Sequence, residues 1–211
     1  WQFITALAAV GSGHSQDPRD TLARALEKSK VFDAGELRFP LSPMQSITGI
    51  DLLSVEVKES ATRPVSLKCF TPGGRPYKLL YKRDDMRQDQ VIMNVIRKMS
   101  EIILSDPELG PRLKEGLPDF EIVTYNVLPC SAEDGVLEYV SSSSLREILV
   151  EDGSVLKWLG RHNDQTSFRR RLVRSAAVYT MMTYMLGVGD RHQDNYKLTK
   201  RGDLFHIDFG Y

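Results

Sequence analysis

Hydrophobic residues open the chain and then recur at spacings typical of helices. The apolar run from Phe3 to Val10 is far shorter than the roughly 20 residues that a membrane-spanning helix needs, so it indicates the end of a helix. Asp17-Pro18 then has the sequence of a helix N-cap followed by proline in the first turn. Because apolar residues recur on one helical face after it, the pattern predicts a helix near 18–30.

The next part of the chain changes to a β pattern. Residues 33–52, which prolines interrupt, are predicted to form an extended linker. β signals then extend from Leu53 to Lys82. Within this stretch apolar and polar residues alternate from Val65 to Phe70, a turn follows at Thr71 to Gly74, and a second run covers Tyr77 to Lys82. This arrangement predicts a β-hairpin.

A long amphipathic helix is predicted after this hairpin. Asp84, Asp85 and Asp89 crowd its first turns, where carboxylates complement the helix dipole. Its apolar stripe recurs at helical spacing and consists of Val91, Ile92, Val95, Ile96, Met99, Ile102 and Ile103.

The second half of the chain is predicted to be mostly helical. Residues 105–119 are expected to form a loop, because prolines and glycines recur in them. Ser144 and Glu147 have the spacing of a capping box, which predicts a short helix. Since strands come first and helices later, we expect two lobes divided near residue 140. The other expected elements are strands near Glu121–Leu128 and Val136–Val140, a long helix over Phe168–Leu186, and a hairpin of Tyr196–Leu198 with Leu204–Asp208.

Charge and cysteine content narrow the possible partners. Lys plus Arg and Asp plus Glu both number 28, so the formal net charge is zero and gives no support for nucleic-acid binding. Cys69 and Cys130 are too few for a disulfide framework or a zinc site, and they fit a reducing compartment. We interpret the basic cluster of helix 168–186 as its solvated side, with contact to anionic lipid as the alternative; the cluster consists of Arg169, Arg170, Arg171 and Arg174.

The first residue is Trp1, with no initiator Met and no basic leader before the apolar run. We therefore expect a fragment of a longer protein rather than a chain that opens with a signal peptide.

The segment from Gly187 to Gly210 concentrates residues that suit phosphoryl transfer. That chemistry needs a cradle for phosphates, a cation, metal ligands and a group near the attacking hydroxyl. Asp190 and Asn195 have the same separation as the Asp and Asn of the protein-kinase loop H-R-D-x-x-x-x-N, and Asp208-Phe209-Gly210 repeats the kinase D-F-G. Since oxygen ligands suit Mg²⁺, we predict Asn195 and Asp208 as metal ligands that the hairpin brings together.

His192 is the candidate general base of this segment. It directly follows Asp190-Arg191, and an imidazole with an ordinary pKa of about 6.5 can accept a hydroxyl proton near neutral pH. Asp190 is the alternative base, or it orients the histidine. A D-F-G triplet or a single histidine is more often structural than catalytic, whereas the joint pattern favours a catalytic loop.

At these residues the sequence resembles the phosphatidylinositol 3-/4-kinase superfamily, whose catalytic loop and metal motif read G-D-R-H-x-x-N and H-I-D-F-G. A second match is Asp84 to Asp89, which is similar to the family's D-D-L-R-Q-D, and the resemblance covers roughly residues 35–211. It implies an α+β, two-lobed protein-kinase-like fold, with an antiparallel sheet and a helix in the N-lobe and a mostly helical C-lobe truncated after the DFG motif. The implied segments are a helical lead-in over 1–34, the N-lobe and hinge over 35–140, and a partial C-lobe over 141–211.

The resemblance also implies roles for individual residues. Lys82 is similar to the phosphate-binding lysine; because one residue instead of two separates it from the paired aspartates, Lys78 is the alternative. Tyr125 is similar to the inner-pocket tyrosine, which in the family lies near Asp89, and His206 is expected near the transferred phosphate. The remaining ATP contacts are expected from Ser60 in a phosphate loop and, around adenine, from Leu137, the carbonyl of Glu138 and the N–H of Val140.

The activity that this resemblance implies is transfer of the ATP γ-phosphate to the 3-hydroxyl of phosphatidylinositol. ATP and Mg²⁺, or Mn²⁺, are the expected cofactors. Finer marks such as Leu186 to Gly189 and Gly210-Tyr211 are most similar to class III, the vesicle-sorting enzymes. Regulatory protein subunits and a cytoplasmic location, peripheral on endosomal or other internal membranes, are then expected, without a transmembrane segment. A Ser/Thr protein kinase of the related branch and a catalytically silent scaffold are the alternatives.

Overall fold

The computed structural model describes residues 2–11, 17–33, 35–39, 41–42, 44–58, 62–163 and 167–209. The chain forms two compact units. Unit 1 contains residues 1–90 and 125–139, and unit 2 contains residues 91–124 and 140–211. One boundary thus lies between Tyr139 and Val140, and another lies inside a long helix after Gln90. The division into three consecutive segments stays a prediction.

Unit 1 combines two helices with a five-stranded antiparallel sheet. The strands of this sheet pair in the order β3-β4-β5-β7-β6, and β1 and β2 form a separate pair. The elements are α1 (Gln2–Gly11), α2 (Pro18–Ser29), β1 (Leu37–Arg38), β2 (Ser46–Ile47), β3 (Gly49–Val57), β4 (Val65–Phe70), β5 (Tyr77–Lys82), β6 (Val127–Pro129) and β7 (Gly135–Glu138).

The core of unit 1 forms where the helices bury their apolar faces against the sheet. Leu7 of α1, Leu22 of α2 and Leu79 of β5 are all fully buried in one hydrophobic cluster. At the start of α2, the carboxylate of Asp17 accepts a hydrogen bond from the Arg19 N–H at 2.9 Å, as the N-cap pattern predicts. The helices and the sheet of unit 1 therefore share one buried hydrophobic core.

Unit 2 is mostly helical and contains a small sheet with the strand order β10-β9-β8. Its first helix, α3, begins in unit 1. Ser144 caps α5 by accepting from the Glu147 N–H at 3.1 Å, and the Glu147 carboxylate accepts from the Ser144 N–H at 2.6 Å. The elements are α3 (Arg87–Ser105), α4 (Leu109–Lys114), β8 (Ser143–Ser144), α5 (Leu145–Asp152), α6 (Val155–His162), α7 (Ser167–Met185), β9 (Tyr196–Leu198) and β10 (Leu204–His206).

Most of the predicted elements are confirmed. These are the helix of residues 2–11, α2, the β4–β5 hairpin, α3, α5 with its capping box, α7 and the β9–β10 hairpin. The mixed helical and antiparallel architecture agrees with the predicted fold class.

Other predictions about elements are wrong. The predicted linker contains β1, β2 and the start of β3, the predicted loop 105–119 contains α4, and α6 was not expected. Of the predicted strand near Glu121–Leu128, only its end pairs in a ladder, as part of β6. Arg171 was assigned to the solvated side of α7, yet it is only 5% exposed. It forms ion pairs with the buried carboxylate of Asp203 and with the exposed carboxylate of Asp119.

Candidate active site

The β9–β10 hairpin brings the two predicted metal ligands close together. Tyr196 pairs with His206 in the antiparallel ladder. Just beyond this pair, the Ile207 N–H donates a hydrogen bond to the Asn195 carbonyl at 3.0 Å. Asp208 directly follows Ile207, so it lies close to Asn195 in the main chain, as the hairpin geometry predicts.

The side chains of these two residues fit a magnesium ion. The Asn195 Nδ2 donates to the Asp190 carbonyl at 2.9 Å, so its amide oxygen faces away from that carbonyl. Asp208 is exposed and provides a carboxylate, and one amide oxygen with one carboxylate is a ligand set that suits Mg²⁺ completed by water and phosphate. In the part of the chain that the structure describes, no group of three or more His, Cys, Asp or Glu side chains could hold a metal.

Arg191 connects the predicted catalytic loop to the segment after β10 that contains Asp208 and Phe209. Its Nε donates to the Gly189 carbonyl at 2.7 Å and its Nη1 to the Ile207 carbonyl at 2.9 Å. Its Nη2 donates to the Asp208 carbonyl. One guanidinium thus holds the loop and the metal-ligand segment together. Asp190 and Asp208 both have positive φ angles, 42° and 59°, which are uncommon for residues other than glycine.

His192 lies on the surface of this loop, with 49% of its side chain exposed. Its Nδ1 accepts a hydrogen bond from the Asp194 N–H at 3.3 Å, and the Asp194 carboxylate lies 3.7 Å from the same nitrogen. The ring is therefore accessible, and its role as base stays a prediction.

His206 occupies a different environment, in the interior of unit 2. It is 2% exposed, and its ring lies 4.6 Å from the ring of Tyr196 and 5.2 Å from that of Tyr179. Neither ring nitrogen has a hydrogen-bond partner among the described residues. Burial and, secondarily, the positive charge of Arg191 lower the pKa of His206 to about 4, so the ring is neutral at pH 7. Its proximity to a transferred phosphate stays a prediction.

Lys82 is the last residue of β5 in unit 1. Its Nζ lies 2.7 Å from the Asp84 carboxylate, the first of the paired aspartates. Lys78, the alternative, lies at the other end of the same strand, and its carbonyl accepts from the Tyr139 N–H at 2.9 Å. Both candidates are thus on the strand that pairs with β7.

The predicted adenine-binding residues lie at the end of β7. Leu137 and Glu138 are half-buried and pair with Leu80 and Leu79 of β5. The Asn126 main-chain N–H and Nδ2 both donate to the Glu138 carboxylate, at 3.3 and 3.2 Å. This contact fixes the Glu138 side chain, while its carbonyl is the predicted ligand of adenine. Val140 follows in the chain and belongs to unit 2.

Two of the other predicted ATP contacts, Asp89 and Tyr125, lie among the described residues. Asp89 lies in the first turn of α3, and Tyr125 is buried in the extended segment before β6. Ser60 lies outside the described residues. The sequence did not single out Arg191 or Asn126, because their partners are 16 and 12 positions away and only the pairing of strands brings them together.

Comparison with known proteins decides the family. The profile of the family described as "Phosphatidylinositol 3- and 4-kinase" matches residues 76–158 and 151–211. The chain belongs to this family. The sequence motifs described above are therefore motifs of a confirmed family member. The matched region includes Lys82, the predicted catalytic loop and Asp208.

Three phosphatidylinositol 3-kinases illustrate the similarity. Phosphatidylinositol 3-kinase pik3 of Schizosaccharomyces pombe is 34% identical over 100% of this chain and 28% of its own length. The VPS34 enzymes of Arabidopsis thaliana and Saccharomyces cerevisiae are 35% and 30% identical over 92% of this chain, and over 24% and 23% of their own lengths. The predicted resemblance to class III enzymes is confirmed by the VPS34 proteins.

The chain thus spans about a quarter of the length of these phosphatidylinositol 3-kinases. None of the described helices combines the length and apolar character that crossing a membrane requires.

Proposed function

We propose that this chain carries the catalytic residues of a phosphatidylinositol 3-kinase, which transfers the ATP γ-phosphate to the 3-hydroxyl of phosphatidylinositol. The observation that carries the proposal is the hydrogen bond from the Ile207 N–H to the Asn195 carbonyl. It makes Asp208 a neighbour of Asn195 at the end of the hairpin, in a chain of the matching family. Phosphoryl transfer depends mainly on such positioning and on electrostatic stabilisation.

The predicted ATP-binding residues would act as follows. Leu137 would contact adenine, and the Glu138 carbonyl and Val140 N–H would hydrogen-bond its edge. Lys82, whose Nζ lies 2.7 Å from the Asp84 carboxylate, would bind phosphate oxygens together with Ser60. Asp89 and Tyr125 would complete the inner part of the nucleotide site.

Asn195 and Asp208 would hold Mg²⁺, or Mn²⁺, through their side-chain oxygens. A bound ion would neutralise charge on the transferring phosphate and fix its geometry. His192, whose side chain is 49% exposed, would accept the proton of the attacking hydroxyl. Asp190, whose carbonyl orients the Asn195 amide, is the alternative base, and His206 would lie near the transferred phosphate.

The lipid substrate implies work at a membrane surface. Relatives named VPS34 support phosphatidylinositol as the acceptor, and we propose a cytoplasmic, peripheral location on endosomal or other internal membranes. Regulatory protein subunits would then bring the enzyme to that surface.

The class of acceptor can be tested with the complete protein. Turnover of radiolabelled ATP would be measured with phosphatidylinositol vesicles and, in parallel, with a generic serine peptide. We expect label in lipid and none in peptide, because the relatives that this chain matches are named phosphatidylinositol 3-kinases. Asp208→Asn and Asn195→Ala should abolish the transfer, whereas Asp33→Asn, an exposed carboxylate of unit 1, should not change it. Efficient labelling of the peptide alone would show a protein kinase instead.

A further inference from the structure

The turn between β9 and β10 is anchored to helix α7 by a buried ion pair. Arg171 of α7 is 5% exposed and Asp203 of the turn is 3% exposed. The Arg171 Nη1 donates to the Asp203 Oδ1 at 3.0 Å, and its Nη2 donates to the Asp119 Oδ1 at 2.6 Å. A single guanidinium thus holds both the turn and the segment that follows α4.

Asp203 also forms hydrogen bonds within the turn. Its second carboxylate oxygen accepts from the Thr199 hydroxyl at 2.9 Å, and the Asp203 N–H donates to the same hydroxyl at 3.0 Å. The Thr199 N–H closes the turn on the Asp203 carbonyl at 3.0 Å. Both carboxylate oxygens are therefore used, one toward the helix and one within the turn, which fixes the direction of the side chain.

A second contact lies one helical turn along α7. The Ser175 hydroxyl is buried and accepts from the Leu204 N–H at 2.9 Å. Leu204 begins β10, the edge strand of the small sheet. Residues spaced by four lie on the same face of a helix, so Arg171 and Ser175 contact the hairpin from one face of α7.

We propose that Arg171, through Asp203, is a positioning residue for the metal ligands Asn195 and Asp208. The inference rests on the proposed function of these two residues. Each hairpin strand has three residues, so the anchored turn lies only about 10 Å from the end that carries the ligands. The sheet that contains this hairpin has only three short strands, and small sheets depend on packing against a helix for their stability, so the orientation of the hairpin depends on its contacts with α7.

The ion pair provides directional control that apolar packing would not. Burying two charges costs desolvation, and a pair of apolar residues is often as stable as a buried ion pair. The planar guanidinium, however, fixes its partners in defined directions, and Mg²⁺ demands near-ideal octahedral geometry. We therefore expect the loss of Arg171 to weaken metal binding in addition to destabilising the fold.

The test compares Arg171→Met with Arg174→Met in the full chain. Arg174 lies on the same helix and donates to the Leu113 and Glu115 carbonyls, both at 2.8 Å, without bonding the turn in any contact described. Binding of Mn²⁺ in the presence of a non-hydrolysable ATP analogue would be measured by electron paramagnetic resonance. Hydrogen exchange of the Ile207 amide would be followed by NMR, because that N–H bonds to the Asn195 carbonyl.

We expect Arg171→Met to weaken Mn²⁺ binding about tenfold, the lower end of the loss seen when support of metal ligands is removed, and to accelerate exchange at Ile207. Arg174→Met should lower the melting temperature and leave both readouts unchanged. Asp203→Asn, which keeps the shape of the side chain, should reproduce the effect if Arg171→Met fails to fold. Arg171→Lys should restore part of the affinity.

Two outcomes would overturn the inference. The first is wild-type Mn²⁺ affinity in folded Arg171→Met or Asp203→Asn. The second is wild-type affinity in the apolar double variant Arg171→Met/Asp203→Leu, which would show that the pair only fills space. Asp208→Asn separates this failure from failure of the proposed function: if it also binds Mn²⁺ normally, the assignment of the metal ligands is wrong.

Discussion

At the scale of single residues, the catalytic loop is held in an unusual backbone conformation by specific contacts. Asp190 and Asp208 have positive φ angles, and non-glycine residues in that region cost free energy unless surrounding structure compensates. The Asn195 amide bonds to the Asp190 carbonyl, and Arg191 bonds to the Asp208 carbonyl. The two strained residues are thus each held by a neighbour within the motif.

Replacement of His192 tests the proposed base. We expect His192→Ala to lower kcat about 10²- to 10⁴-fold, the usual contribution of general base catalysis, and to leave the KM for ATP unchanged, because the side chain is half-exposed and supports no core. Initial rates of lipid phosphorylation would be measured against ATP concentration. Gln193→Ala, at the next exposed position, is the control for loop damage. An equal loss of ATP affinity would show that His192 is structural.

Motif spacing was enough to predict that Asn195 and Asp208 lie close together along the main chain, because a tight hairpin between two short strands allows few other pairings. It was not enough for Arg171, whose neighbours on α7 are basic and exposed. Burial of this arginine depends on Asp119 and Asp203, which are 52 and 32 positions away. Contacts between residues so far apart in the sequence depend on how the helices and loops pack, and hydrophobic periodicity does not predict them.

At the scale of elements, periodicity predicted helix α3 but not its environment. Ile92 and Ile96 of the predicted stripe are buried, whereas Val91 and Ile102 are exposed. The stripe was wider than the face that the helix buries. The segment of α4 was predicted as loop because it contains Gly110 and Pro111. A Cβ at Gly110 would lie 2.4 Å from the Leu104 carbonyl oxygen, so glycine permits the close approach of α4 to the end of α3.

The β9–β10 turn offers a prediction at this scale. Gly202 has a φ of +100°, and an added Cβ would lie 2.8 Å from the Phe168 carbonyl oxygen of α7. We therefore expect Gly202→Ala to lower the free energy of unfolding by about 1–3 kcal/mol, measured by urea titration with circular dichroism. Gly74→Ala is the matched control, since Gly74 has a φ of +74° but no described atom within 4 Å of its added Cβ. Equal losses would mean that the turn does not press against α7.

At the scale of the whole molecule, the chain divides into two compact units. Unit 1 contains Lys82 and the strand predicted to bind adenine, and unit 2 contains the predicted catalytic loop and the predicted metal ligands. The family was predictable because two separate motifs occur in the right order in one chain. The grouping of residues 91–124 with unit 2 was not, because it depends on packing and not on local pattern.

The cysteines report on the integrity of unit 1. Burial raises the pKa of Cys69 to about 12, and burial followed by the charge of Asp134 raises that of Cys130 to about 11. Because the thiolate is the reactive form, we expect both to react with iodoacetamide at pH 8 on the order of a hundredfold more slowly in the native chain than in urea. Raising the pH toward these values should accelerate the native reaction. Rapid native labelling of Cys69 would contradict the placement of β4 in the core.

The position of the transferred phosphate tests the central claim most directly. The complete protein would phosphorylate phosphatidylinositol vesicles with radiolabelled ATP and Mg²⁺, and the deacylated products would be separated by head group, with Asp208→Asn as the inactive control. We expect a single labelled product with phosphate on the 3-hydroxyl, absent with Asp208→Asn. Phosphate on another inositol hydroxyl, or undiminished product with Asp208→Asn, would contradict the proposed 3-kinase activity.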